Sequence, residues 1–312
     1  MGMASSWTTG YNYRLINAGK IENKGIEIAL STRPIQTRDF SWDINLNFSK
    51  NSNKVKELDG ESDMFELEKA SWLDVQVAAK VGENFGSIVG PDFQRNEKGD
   101  ILIDPQTGLP QYDKSNHVLG NASWDWTGGL LTNFTYKNLS LVAVFDVKVG
   151  ADLYSMSARA AYESGKSPET SEEERLAAGI AKGADNWKPT GGFVAPGVID
   201  NGDGTYRPND IYINPEDYWM SVCRNAPSMF IYDNSYVKCR ELTLSYNVPK
   251  SWLKNVVSGL TVSFVARNPF IVWKNIPNID PDSNYNNTTG MGLEYGSLPS
   301  RRSYGFNVNV KF

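Results

Sequence analysis

Apolar and polar residues alternate with a period of two in seven segments of this chain, each about ten residues long. That is the repeat of a strand with two unlike faces. The second segment shows it most cleanly: Phe40, Trp42, Ile44, Leu46 and Phe48 alternate with Ser41, Asp43, Asn45, Asn47 and Ser49. The first runs from Gly25 to Ser31 with Ile26, Ile28 and Leu30 on one face. The third spans about Asp125 to Tyr136, and the fourth Leu139 to Gly150. The fifth, Arg240 to Val248, sets Leu242, Leu244, Tyr246 and Val248 against Glu241, Thr243, Ser245 and Asn247. The sixth is Leu260 to Asn268. In the seventh, Ser303 to Phe312, the residues Tyr304, Phe306, Val308, Val310 and Phe312 face away from Asn307, Asn309 and Lys311.

Alternation of this kind suits a soluble sandwich and a membrane barrel equally, because either hides one face of each strand. The connections separate them. Those at 32–39, 137–138 and 249–259 are short, whereas 52–124, 151–235 and 269–302 are far longer than loops within compact domains. Short and long connections take turns along the chain, as they do in outer-membrane barrels with tight periplasmic turns and long extracellular loops. The expected fold is all-β: seven antiparallel strands in sequence order, forming a curved open sheet with every long loop at one end. Residues 1–24 fall on that same outer side. Aromatics near strand ends (Phe40, Trp42, Phe134, Tyr136, Tyr304) fit an interfacial girdle, and the Asn, Ser, Thr and Asp of the opposite face fit a wet lumen.

Composition agrees with β-structure and polar loops: 40% hydrophobic, 21% charged and 12% aromatic over 312 residues. No apolar run reaches the length of a membrane helix. The net charge of −5, without a basic cluster, excludes nucleic acid as a natural partner. Cys223 and Cys239 lack metal or redox spacing, and a disulfide between them would require an oxidising compartment. The first residues carry no basic and apolar export signal, so the chain is expected to start inside a longer reading frame. The single histidine, His117, lies in a polar stretch without a nucleophile motif and reads as a solvated side chain. No catalytic, cofactor or metal site is assigned, and no cofactor is expected. The run Asp200 to Gly204 lacks the ligand pattern of a calcium loop and reads as a tight turn. Within the long connection 151–235, Ser171 and Glu174 fit a capping box opening a short surface helix through Ala181. The loop aromatics Trp187, Tyr212, Tyr218 and Trp219, with Tyr206, are the candidate substrate-binding residues, able to stack on sugar rings or grip a peptide. They are equally suited to packing the loop against itself.

Several strings carry a resemblance. NAGKIENKGIEIAL (Asn17 to Leu30), DFSWDINLNFSKNSNKV (Asp39 to Val55), IYDNSYVKCRELTLSYNVP (Ile231 to Pro249) and, more loosely, VARNPFIVWKN with NIDPDSN resemble the SusC/RagA family of TonB-linked outer-membrane proteins. The likeness covers nearly the whole chain. It departs from the family at Cys239, where an aliphatic residue is usual, at Asp282, where Glu is usual, and from Asn96 to Asp104, which keeps only a degenerate Gly/Asp-rich loop. The resemblance implies the C-terminal part of a 22-stranded barrel in the cell outer membrane, with a plug and TonB-contacting segment elsewhere in the receptor. It also implies import of oligosaccharide or peptide captured with a SusD-like surface lipoprotein. The final aromatic, Phe312, resembles the assembly signal read by the barrel assembly machinery. The alternative is a secreted β-rich carbohydrate-binding or adhesion module.

Overall fold

A computed structural model describes residues 2–4, 7–11, 13–15, 19–58, 63–69, 74–170, 193–253, 257–286 and 288–312. Its main element is a seven-stranded sheet: β1 (Gly19–Gln36), β2 (Phe40–Leu58), β3 (Trp126–Tyr136), β4 (Leu139–Val149), β5 (Tyr236–Asn247), β6 (Gly259–Lys274) and β7 (Ser303–Lys311). Each strand pairs antiparallel with the next, so the order in space is the order in sequence, and β1 and β7 are its edges. The all-β fold and the strand order are those expected from the alternation. The two-residue turn at Lys137 and Asn138 places Lys137 at a φ of 53°, the left-handed conformation that lets a tight hairpin follow the strand twist.

The register explains why alternation was the dominant signal. One row of directly opposed residues, Ile35, Trp42, Phe134, Leu141, Leu244, Phe264 and Phe306, crosses all seven strands and is apolar throughout. The neighbouring row on the other face, Gln36, Ser41, Thr135, Ser140, Ser245, Ser263 and Asn307, is polar throughout. Trp42 stacks on Phe134 at 5.5 Å, and its indole N–H donates to Thr132 Oγ1 at 2.8 Å, so the polar atoms on the apolar face satisfy each other. On the polar face Ser245 and Ser263 hydroxyls meet at 2.8 Å, and Ser140 donates to Asn133 Oδ1 at 3.0 Å. The apolar face is largely uncovered: Ile26 is 63% and Phe306 82% exposed. Neither of the two hydrophobic cores among the described residues contains a residue of these seven strands.

Several strands outrun their alternating segments. β1 and β2 stay paired from Gly25↔Asn51 to Gly19↔Leu58, β5 begins at Tyr236, and β6 continues to Lys274. Beyond the alternating zone both faces meet water or loops, and the period-two contrast has nothing to enforce it. Bulges mark the transitions, at Pro34, which has no N–H to pair, and at Arg240 in β5. Cys239 lies on the apolar face between Phe145 and Phe270, where a small apolar thiol serves as the aliphatic residue would. Cys223 and Cys239 are both buried and unpaired.

The long connections fold together. The first holds a four-stranded antiparallel sheet, Met64–Lys69, Gln76–Lys80, Phe85–Phe93 and Tyr112–Asn121. The second carries helices α1 (Met156–Glu163) and α2 (Pro215–Asn225), and the third sends Leu293–Glu294 alongside Asp152–Ser155. Ser155 caps α1 by accepting from Ala158 N, and Asn214 caps α2 by accepting from Glu216 N. The helix expected through residues 171–181 lies outside the described residues, as does Trp187. Val77, Ile88, Tyr154, Phe230 and Leu293 form one core contributed by all three connections, and Phe93, Ile199, Tyr218 and Val222 belong to a second built by the first two. Antiparallel order already puts these connections at one end of the sheet; the shared cores make them a single cap.

Candidate functional site

The cap meets the sheet above β2 and β3, and a cleft of about 390 Å³ opens at that junction. Its floor continues the polar face of β2 beyond Asn45 and Asn47, through Ser49, Asn51 and Asn53. Thr127 of β3 stands directly opposite Ser49. Phe85 and Trp124 line the walls, Trp126 borders the cleft from β3, and Thr288, Thr289 and Met291 of the third connection close the top. Among the described lining residues none is Asp, Glu, Lys, Arg or His.

The aromatics are held rather than loose. Trp124 meets Tyr236 edge-on at 5.8 Å and has the Lys148 ammonium 5.5 Å from its ring, a cation–π contact. The Trp126 ring turns to the apolar face of the sheet, against Phe48 at 5.7 Å and beside Gly128. Phe85 is fixed through its backbone: its N–H donates to Asn53 Oδ1 at 2.7 Å, and its carbonyl accepts from Ser123 Oγ at 3.1 Å. That commits Asn53 and Ser123 to positioning. The side chains of Ser49, Asn51 and Thr127 make no hydrogen bond within the described residues, leaving donors and acceptors turned to the cleft.

Beside the cleft an ionic cluster ties the third connection to the sheet. Lys238 Nζ donates to Asp280 Oδ1 at 3.0 Å and to Asp282 Oδ2 at 2.6 Å, and the Ser300 hydroxyl donates to Asp280. Arg240, freed from the ladder by the bulge, reaches Asp282 Oδ1 at 2.9 Å and, through Nε, Asp146 Oδ2 at 3.1 Å. Tyr236 donates to Asp282 at 2.8 Å. Burial pushes both loop carboxyls up, but the donors that converge on them outweigh it. Ser300, the Asp282 N–H and Lys238 hold Asp280 below the ordinary carboxylate range, and Arg240, Lys238 and Tyr236 do the same for Asp282. Two cations set against three carboxylates leave one net negative charge, and every member has a partner. This arrangement orders a loop.

The aromatics singled out from sequence do not converge on this cleft. Tyr218 is 4% exposed in the second core, against Phe193 at 4.9 Å and Trp219 at 5.0 Å, and Trp219 also packs on Tyr162. Tyr212 is 55% exposed on a separate face of the cap. Phe312 is 96% exposed at the end of β7, its carbonyl accepting from Ser258 Oγ at 3.0 Å. His117 is half-exposed on a cap strand, 3.0 Å from Asp113. The turn at Asp200 closes on itself, Gly202 N–H donating to Asp200 Oδ1 at 2.7 Å. Trp124 was missed. Its signal was present in the string Ser123-Trp124-Asp125 at the mouth of the third alternating segment.

No protein-family model matches the chain. It is 24% identical over 97% of its length to TonB-dependent receptor P3 of Formosa agariphila, covering 30% of that protein. It is 27% identical to TonB-dependent receptor P26 of the same organism over 97% of the chain and 30% of the relative. To TonB-dependent receptor SusC of Bacteroides thetaiotaomicron it is 25% identical, over 97% of the chain and 28% of the relative. These relatives are TonB-dependent receptors. The fold agrees: the RagAB peptide importer in its closed-closed state superposes with a TM-score of 0.66 at 18% identity, over 99% of this chain and 31% of that one. The open-open state gives 0.64 over 100% of this chain and 31% of that one. The chain therefore spans about 30% of the length of the curated relatives it matches, and over that span it has the fold of a SusC/RagA-type barrel wall.

Proposed function

We propose that this chain forms the C-terminal strands of the barrel wall, and the outward cap, of a TonB-dependent outer-membrane importer of nutrient oligosaccharides or peptides. The observation that carries this is the pair of rows crossing β1 to β7, one apolar and uncovered, the other polar. An uncovered apolar face seven strands wide is costly in water and at home in hydrocarbon. A secreted binding module would have to cover it with a second sheet. The two edges, β1 and β7, carry unpaired backbone groups that hydrocarbon does not tolerate, so in the membrane they pair with further strands and close a barrel.

In this reading the polar rows line the lumen and the cap faces the cell exterior, where a SusD-like lipoprotein seats on it and presents the substrate. Tyr212 is the candidate aromatic that stays available on the cap; Tyr218 and Trp219 support it from within. TonB acts through parts of the receptor outside these strands. Phe312 is the candidate assembly signal, and the protein works by gated passage without chemical conversion of its cargo. The test is uptake: cells expressing the receptor that contains these strands should accumulate labelled nutrient only when TonB is present. Uptake unchanged by loss of TonB would reject the proposal.

A further inference from the structure

We infer that the outward face of β1 and β2, where the two strands run beyond the alternating zone, is a binding site for the phosphates of a glycolipid in the surrounding membrane. This rests on the importer reading and concerns its lipid, not its cargo. The face follows from the register. Ile26 opposes Lys50 on the apolar side of the pair; two residues further out Lys24 opposes Ser52, and two further still Glu22 opposes Lys54, all on that same side. Lys56 joins them, its ammonium 3.5 Å from Glu22 Oε1, which the Lys24 ammonium meets at 3.0 Å. Four exposed lysines against one glutamate leave three net positive charges, in a chain whose total is −5. Beyond them Lys20 opposes Glu57 and adds no net charge. The other side of the same strands is taken. Val55 is fully buried, with its N–H donating to the Glu83 carbonyl at 2.9 Å, and Asn53 holds the Phe85 backbone. The cap covers the inner side and leaves the lysines outside.

Position identifies the occupant. Ile26 and Phe48 lie one side-chain repeat below Lys24 and Lys50 on the lipid side, and the Trp126 ring rests on Phe48, an aromatic at the height where hydrocarbon gives way to water. Acyl chains lying on Ile28, Phe48 and Trp126 therefore carry their headgroup up to the lysines. An acidic soluble protein would use the charges but not the apolar column that runs into them. The height of the ladder then selects among lipids. Lys50 to Lys54 is about 13 Å of strand at roughly 3.3 Å per residue, and Lys56 stands higher still. A glycerophosphate head places its single charge at the foot of this ladder, whereas a sugar headgroup bearing more than one phosphate reaches several rungs. Lysine suits the task, since its compact charge on a flexible stem meets phosphate without a fixed geometry.

The experiment measures lipid binding to the whole detergent-purified receptor by native mass spectrometry, with heat-modifiable migration as the check on the barrel. The probes are bisphosphorylated lipid A, the same glycolipid stripped of phosphate, and phosphatidylglycerol. The phosphorylated glycolipid should bind about tenfold or more tightly than either of the others. That preference should shrink as salt rises from about 50 to about 500 mM. Lys54→Gln should weaken its binding about fivefold, and Lys50→Gln combined with Lys54→Gln about twentyfold. Lys98→Gln, on the cap, should leave it unchanged. The comparison of phosphorylated with stripped glycolipid uses the unaltered receptor, so it decides the matter even if the double variant fails to fold. A heat-modifiable receptor that binds both glycolipids equally, prefers phosphatidylglycerol, or ignores the lysine changes overturns the inference and leaves the importer reading standing. A receptor that never becomes heat-modifiable overturns the importer reading itself.

Discussion

The Lys238 side chain is 2% exposed, and its ammonium is tolerable there only because Asp280 and Asp282 stand within hydrogen-bond reach. Removing one member of such a set strands the others, at a cost of about 3–5 kcal/mol in comparable buried pairs. The same chemistry sets a pH dependence. Folding holds Asp280 and Asp282 below the ordinary carboxylate value of 3.8, so their contribution is fully present above that value and is lost as pH falls below it. Acidification from pH 5 to pH 2 should therefore loosen residues 275–302 before the sheet itself, measured as protease cleavage in that segment. Asp282→Asn should show the loosened pattern already at neutral pH, where an unaltered cleavage map would contradict the account. Both aspartates were visible in the string NIDPDSN, but their task was not, because their partners Lys238 and Arg240 are distant in sequence and are delivered by β5, with Asp146 of β4 as the second acceptor of Arg240.

Strands that separate two unlike environments announce themselves; strands buried on both faces do not. All seven wall strands were legible, because segments such as Phe40 to Ser49 and Leu139 to Val149 alternate apolar and polar residues, the pattern that a wall between hydrocarbon and water requires. The cap strands escaped notice because Gln76–Lys80 and Phe85–Phe93 are buried almost residue by residue and show no period. Their cores also draw on three connections at once, a dependence that no single window of sequence displays. Gly292 is where this cooperation is tightest. Its φ is +92°, and a Cβ there would come within 2.4 Å of Ala122 Cβ, while its carbonyl accepts from Tyr154 N–H at 2.9 Å. Gly292→Ala should unseat the third connection from the first and second together, so that protease sites open in all three while the wall stays heat-modifiable. Cleavage confined to residues 275–302 would show that the cap is not one unit.

For the molecule as a whole, the central claim is that the seven strands are a membrane wall with lipid on the side of Ile35, Trp42, Phe134, Leu141, Leu244, Phe264 and Phe306 and water on the other. The cleft, the cap and the ionic cluster all take their meaning from that orientation, since each lies at the end of the sheet or on its polar side. Facing can be tested with two adjacent residues, because neighbours along a strand point oppositely. Ile44 opposes Thr132 on the apolar side, and Asn45 opposes Leu131 on the polar side, so the environments differ while the backbone context is shared. An arginine on the lipid face near the midplane costs about 2–4 kcal/mol, whereas at a lumen position it stays hydrated. The decisive measurement is the heat-modifiable, membrane-inserted fraction of the receptor carrying Ile44→Arg or Asn45→Arg. The account predicts a severe loss for Ile44→Arg and near-normal insertion for Asn45→Arg; equal tolerance of both, or failure of Asn45→Arg alone, would contradict it.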